Sequence, residues 1–216
     1  SGPNTGLGGG ISCYNNSSPT LTDVTITGNS AQLGGGISCY NNSSPTLTDV
    51  TISGNTVGHS GGGMYCVSSS SPSLVNVTIT NNSASGNGGG MYCVSSSSPS
   101  LENVTITNNS ASTGGGIDCR NNASPSLENV TISGNSASNV GGGIYCKSGS
   151  SPSLVNTIVS DNLGNYGFYN DQENPGNPSI TYTDIYNNEN ANFYNVSEWV
   201  GVNVMTNANG DSVDMF

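Results

Sequence analysis

Along most of the chain, apolar and polar residues alternate in runs of only three to five, bounded by glycine or by serine and proline. This is the period of half-buried β-strands, in which successive side chains point to opposite faces. In the segment GGGISCYNNSSPTLTDVTITGNSAQL, Gly8 to Leu33, the pattern predicts three strands. The first turns Ile11 and Cys13 inward and Ser12 and Tyr14 outward; the second, after the Ser-Pro corner, turns Leu21 inward; the third turns Val24 and Ile26 inward and Thr25 and Thr27 outward. Pro19 blocks a helix, and strands this short do not stand alone.

The segment is repeated. Glycine triplets begin at Gly8, Gly34, Gly61, Gly88, Gly114 and Gly141, spaced 26, 27, 27, 26 and 27 residues. Cys13, Cys39, Cys66, Cys93, Cys119 and Cys146 keep the same intervals, as do Pro19, Pro45, Pro72, Pro99, Pro125 and Pro152. The one-residue differences fall between an alanine-like position (Ala31, Val57, Ala84, Ala111, Ala137) and the next triplet, which marks a turn tolerant of length change. If each unit is one turn of a coil, like strands pair in parallel and identical residues stack about every 4.8 Å, creating a core that no single unit possesses. Parallel connections are overwhelmingly right-handed. The predicted fold is therefore all-β: a right-handed parallel β-helix of about seven coils, with three short strands per coil and a C-terminal cap.

Asn29, Asn55, Asn82, Asn109, Asn135 and Asn162 fall on one row, where stacked amides can hydrogen-bond along the axis. Asp23, Asp49, Asn76, Asn103, Asn129 and Asn156 form a second. Residues 8–163 make the regular coils within a solenoid spanning 1–194. Residues 164–194 read as a degraded coil, since Pro178, Ile180, Thr183, Ile185 and Asn188 lie 26 residues after their counterparts. From 195 to 216 the pattern is lost and Trp199, Val200, Val202, Val204 and Met205 concentrate, as expected of a segment covering the last coil. Only seven residues precede the first triplet, and the edge of the first coil so exposed predicts a fragment of a longer protein.

Composition narrows the partners. Lys and Arg number 2 against 13 Asp and Glu, a net charge of -11, so a phosphate-binding surface would release almost no counterions and nucleic acid is not an expected partner. No apolar run reaches the roughly 20 residues needed to span a bilayer, and the first residues lack the pattern of an export signal, which is expected to lie elsewhere. Hydrophobic content is only 32%, yet charge is 7% and Val, Ile and Thr are frequent, which argues for order rather than disorder.

The glycine triplet with its following Ile37, preceded by Ile26-Thr27-Gly28-Asn29-Ser30-Ala31, resembles the polymorphic outer-membrane protein repeats, with their GGA[ILV] and FxxN elements. It is similar, too, to the wider group of right-handed β-helix repeat surface proteins within the pectate-lyase-like fold. The chain departs at the third glycine, alanine in that family, and at Ile26, Ile52, Ile79 and Ile106, where the family has phenylalanine. The resemblance implies a secreted or cell-surface passenger, often adhesive, and transfers no partner, because the matched residues are scaffold.

Four features bear chemistry. The six cysteines suit a column of free, buried thiols better than disulfides, since parallel side chains keep Cβ atoms further apart than the roughly 3.8 Å a relaxed bridge prefers. Each cysteine is alone in its coil, without the CxxC spacing of a tetrahedral site, so no metal or other cofactor is expected. Asp118, Arg120, Tyr145 and Lys147 cluster outward on two neighbouring first strands and hold both basic residues. They allow a polysaccharide lyase reading, but a surface ion pair between Asp118 and Lys147 or Arg120 is the commoner arrangement, and no catalytic residue is assigned. The outward pairs Thr25/Thr27, Thr51/Ser53, Thr78/Thr80, Thr105/Thr107 and Thr131/Ser133 resemble the Thr-x-Thr arrays of ice-binding proteins. Tyr14 and Tyr40 stack on one outward row and Tyr65, Tyr92 and Tyr145 on its neighbour, where rings can hold sugars or proteins or simply cover the sheet.

Other features carry less. His59 has no partner in the sequence, Asn207 to Asp211 reads as a turn rather than a calcium loop, and the sequons, such as Asn76-Val77-Thr78, are by-products of the repeat. Eight acids from Asp161 to Asp214 make that end strongly negative. The expected protein is a non-catalytic, extracellular structural or adhesive β-helix module of a larger surface protein, monomeric or a fragment of a longer chain. Its ligand, whether protein, glycan or ice, is not specified, and the two alternatives are an ice-binding protein and a polysaccharide-binding or lyase-like domain.

Overall fold

A computed structural model describes residues 6–195, together with the strands Val204–Thr206 and Ser212–Asp214. It is a right-handed parallel solenoid in which the strands of the coils pair with their counterparts one coil away. The first sheet has eight strands, from Ile11–Tyr14 through Ile117–Arg120 to Ala191–Tyr194. The second and third have seven each, beginning with Thr20–Thr22 and Thr25–Thr27 and ending with Ser179–Thr181 and Asp184–Tyr186. A fourth sheet, which the three-strand expectation lacks, has five strands: Ser30–Leu33, Thr56–Ser60, Ser83–Ala84, Ser110–Thr113 and Ser136–Val140. It occupies the segment of variable length. Bulges between Ala31 and Leu33 and between Ala111 and Thr113 absorb the extra residue of the neighbouring coil, so this segment pairs and still tolerates insertion.

Registers are those that identical residues demand: Cys13 faces Cys39, Cys66 faces Cys93, Leu74 faces Leu101 and Ile79 faces Ile106. The core follows, with Leu47, Ile52, Cys66, Leu74, Ile79, Met91 and Ile106 wholly removed from solvent. Corners are made by left-handed backbone. Asn15 and Asn16, at φ 54° and 62°, separate the first strand from the second, and Asp23, at φ 55°, separates the second from the third. Asn and Asp tolerate this conformation better than other side chains, which accounts for the Asp23 to Asn156 row. At the triplet the limit is room: a Cβ on Gly36 would lie 2.6 Å from the Gly63 carbonyl oxygen and 2.6 Å from Ile52 Cγ2, so the alanine of the similar repeats has no space here.

Polar side chains satisfy the corners coil by coil. The Asn82 backbone N–H and its Nδ2 both donate to Asn109 Oδ1, at 2.9 and 3.0 Å, while Nδ2 also donates to the Ile52 carbonyl at 3.0 Å. The same set repeats from Asn55 to Asn162 and extends to Asn188. Two serine files flank the Ser-Pro corner. In one, a backbone N–H donates to the hydroxyl of the following coil (Ser43 to Ser70, Ser70 to Ser97); in the other, to that of the preceding coil (Ser71 to Ser44, Ser98 to Ser71). The first file breaks at Ala123, which is wholly buried where its counterparts carry a hydroxyl.

The seventh coil departs from the pattern, as the sequence predicts. Phe168 stacks on Ile144, and Asn170 takes the place of cysteine beside Cys146. Ala191–Tyr194 then opens a further coil inside the segment assigned to the seventh. Of the expected cap, Trp199, Val200 and Val202 lie outside the described residues, as do Asn207 to Asp211. Strands Val204–Thr206 and Ser212–Asp214 pair antiparallel with each other.

Restoring the missing hydroxyl with Ala123→Ser should give the Ser97 N–H an acceptor and stabilise the protein by about 1 kcal/mol. Asn109→Ala strands the Asn82 N–H and the Ile79 carbonyl and should destabilise by about 3 kcal/mol. Urea denaturation of the two variants beside the parent checks both.

Candidate functional site

The first sheet is built so that its outward face is only half open. In four coils the fourth strand runs directly into the glycine triplet, and the left-handed first glycine folds it back over the next first strand. Thus Gly114, at φ 60°, approaches the Asp118 side chain. Residues turned away from the main core can therefore be fully buried. Ser38 and Asp118 are both 0% exposed, although the alternation places them outward.

Down this face runs a file of one residue per coil: Ser12, Ser38, Tyr65, Tyr92, Asp118, Tyr145, Tyr169 and Tyr194. Tyr65 and Tyr92 have ring centroids 5.6 Å apart, Tyr145 and Tyr169 stack at 5.6 Å, and Tyr169 and Tyr194 stack at 4.5 Å with planes 2° apart. On the adjacent file Tyr14 and Tyr40 stack at 5.4 Å. Tyr166, Tyr169 and Tyr194 were not among the residues singled out from the sequence. They could have been found by carrying the register of Tyr145 one coil further.

Arg120 closes the gap that Asp118 makes between Tyr92 and Tyr145. Its guanidinium carbon lies 6.0 Å from the Tyr92 ring centre and 4.9 Å from that of Tyr145. Its Nε donates to Asp118 Oδ1 at 2.8 Å, and its Nη2 to Asp118 Oδ2 at 2.9 Å, Thr113 Oγ1 at 2.8 Å and Asn87 Oδ1 at 2.9 Å. The Thr113 hydroxyl donates to Asp118 Oδ2 or Asn87 Oδ1, at 2.8 and 2.7 Å. Nη1 donates to none of the described residues and the side chain keeps 25% of its surface exposed, so the outer edge of the guanidinium is available. The expected surface ion pair is instead buried, and it lies within one strand. Lys147 does not reach Asp118; it pairs with Glu173 at 3.1 Å and Asp171 at 3.5 Å one coil on, where Tyr145 also donates to Asp171 at 2.8 Å. Asn87 and Thr113, missed in the sequence, occupy the position just before a glycine triplet, which aligns with Leu33, Ser60 and Val140.

Charge at the cluster is balanced internally. Burial pushes the Asp118 carboxyl above the usual carboxylate range, against the pull of Arg120 and Thr113. Asp118 in turn holds the guanidinium charged despite its burial. Burial and Asp118 push the Tyr92 hydroxyl up to about 12, and burial and Asp171 raise that of Tyr145, so both phenols are neutral donors. With both Asp118 oxygens engaged, the carboxylate is poorly placed to remove a proton from a bound sugar.

The third sheet presents the other regular face. Thr25, Thr51, Thr78, Thr105 and Thr131 stand in one file, and Thr27, Ser53, Thr80, Thr107 and Ser133 in the next. Hydroxyls bridge coils within the second file, as between Thr107 and Thr80 at 3.2 Å. The grid gives way to Ile158, Asp184 and Tyr186 in the last coils.

Among the described residues no helix is long and apolar enough to cross a membrane. A family described as right handed beta helix region matches residues 9–129 and 75–213. Neither the curated proteins nor the solved structures provide a match.

Arg120→Val alone leaves Asp118 buried without its partner and should cost about 3 kcal/mol. Joining it with Asp118→Tyr copies the Tyr92-Cys93-Val94 arrangement of the preceding coil, and the double variant should regain most of that loss. Thermal and urea unfolding of the parent, the two single variants and the double variant measure the coupling.

Proposed function

We propose that this chain, which belongs to the right-handed β-helix family, is a non-catalytic extracellular adhesive module of a surface protein, holding an extended glycan along the outward face of its first sheet. The observation that carries the reading is the file from Tyr65 to Tyr194, interrupted once at Asp118, where Arg120, neutralised on one edge and open on the other, covers the gap. The rings of Tyr169 and Tyr194 stack on each other, so the file offers ring edges and phenol hydroxyls, which with the open guanidinium edge suit the C–H groups and hydroxyls of sugars. The file advances one residue per coil, about 4.8 Å, so a linear polymer can meet the half-buried Tyr65 and Tyr92, then Arg120 above the buried Asp118 and Tyr145, then Tyr169 and Tyr194. Because Asp118 cancels the charge of Arg120 and the chain carries -11 overall, a neutral glycan fits better than a uronate. Rigidity supports the role: the binding face is backbone-paired on both sides of nearly every strand, so little ordering is required on binding.

The threonine and serine grid favours a second reading, ice binding. Its five pairs repeat about every 4.8 Å between coils and roughly 7 Å along a strand, a spacing that can order water into a lattice.

For the glycan reading, Tyr92→Ala and Tyr169→Ala should each weaken binding of neutral polysaccharides about tenfold in calorimetry or on a glycan array. Undiminished binding by both variants removes the tyrosine file from the interface. For ice, the purified chain should show thermal hysteresis and shape ice crystals, and Thr78→Tyr should abolish both. Absence of either activity in the parent rejects the second reading.

A further inference from the structure

The six cysteines do no work on either face. They form a single column in the core, Cys13, Cys39, Cys66, Cys93, Cys119 and Cys146, each facing the next in register, and all six thiols are free. Each sulfur interacts electrostatically with its neighbours in the column; those neighbours, together with burial, hold the Cys66 and Cys119 thiols well above the ordinary thiol range. Among the described residues no three Cys, His, Asp or Glu side chains converge, so the tetrahedral set that zinc requires is not present. A column instead offers two sulfurs at a time, one above and one below each gap.

The spacing of those pairs is chemically specific. A metal–thiolate bond is about 2.3 Å, so a cation held linearly between two sulfurs spans about 4.6 Å, close to the roughly 4.8 Å rise of one coil. Linear coordination by two soft sulfurs suits monovalent ions with filled d shells, of which copper(I) is the biological example. A second feature points the same way. Met64 and Met91, both 0% exposed, stand two residues before Cys66 and Cys93 on the same inward face, facing each other across the same gap. The other coils with cysteine carry isoleucine there: Ile11, Ile37, Ile117 and Ile144. The middle of the column is thus flanked by two thioethers, which are also soft ligands.

We propose that the cysteine column is a binding site for soft monovalent cations, copper(I) or silver(I), held linearly between sulfurs of adjacent coils and filled first at the Cys66–Cys93 gap beside Met64 and Met91. At each occupied gap one S–H bond breaks, its proton leaves to solvent, and the cation bonds the two flanking sulfurs; no electron is transferred. One positive charge replaces another, so the apolar core gains no net charge. Because bonds at a thiolate sulfur are bent, a sulfur bound in line to one cation cannot hold a second in line on its other side, and the six sulfurs pair off into three sites: Cys13–Cys39, Cys66–Cys93 and Cys119–Cys146. Cys13, 2% exposed on the first coil, is the way in, through opening of the terminal coil.

The pairing makes the test sharp. Silver(I) titrated into the folded chain, read by native mass spectrometry with circular dichroism alongside, should reach three ions with the β-sheet signal kept. Cys146→Ala should lower the capacity to two. Cys39→Ala with Cys93→Ala should lower it to one, because it isolates Cys13 and Cys66 and leaves only the Cys119–Cys146 pair. Zinc(II) should not be taken up. Met64→Leu with Met91→Leu should leave three sites and weaken the first ion about tenfold or more. A parent capacity other than three, variants that do not step down in this way, or uptake only as the β-sheet signal is lost would overturn the proposal. Equal first-ion affinity in the methionine variant would overturn the assignment of the first site.

Discussion

No coil in this protein satisfies its own polar groups. The backbone N–H of Asn82 is answered by the side chain of Asn109 in the following coil, and the amide of Asn82 answers the Ile52 carbonyl in the coil before. Left unpaired in the interior, each of these groups would cost about 1–3 kcal/mol. The arrangement is stable only when identical residues lie directly above one another, which requires every coil to have the same path through its inward positions. That requirement explains why the first three strands and their corners keep their length in every regular coil while the fourth varies. It explains the composition as well, since stacked small and polar residues replace the large apolar core of an ordinary domain.

Against so constrained a background, departures from the repeat stand out. Asp118 and Arg120 occupy positions held by Tyr92 and Val94 one coil earlier, and the change brings in Thr113, at the end of one fourth strand, and Asn87, beyond the end of the preceding one. A scaffold that needs only a tyrosine and a valine there carries instead a buried carboxylate, a guanidinium with one free edge and two further polar partners. Such a pair gives little stability by itself. Its position in the middle of an aromatic file sets it apart from the rows that build the coils.

The inward rows were legible from the sequence because their signal is arithmetic: glycine, cysteine, proline and asparagine recur at fixed intervals, and parallel stacking is what such recurrence demands. The fourth strand was not legible, because its residues vary and its length changes, and strand pairing there depends on the neighbours on each side. The burial of Ser38 and Asp118 was hidden for the same reason, since alternation tells inward from outward but cannot show that another strand folds over the outward side. The Asp23 row illustrates a subtler limit. Its residues were visible as a file, but the left-handed backbone that selects Asp and Asn there belongs to the turn.

The two serine files, whose bonds run toward opposite ends of the solenoid, have a consequence for how such a molecule can change over generations. Residues 8–26 and 34–52 are identical, as are 61–74 and 88–101, so misaligned recombination within the gene would delete or duplicate whole units. A unit gained or lost in that way finds a matching donor on one side and a matching acceptor on the other, and no bond in either file is left open at the seam. Reach would then evolve in steps of about 4.8 Å. The gene could lengthen or shorten its product without passing through a misfolded intermediate.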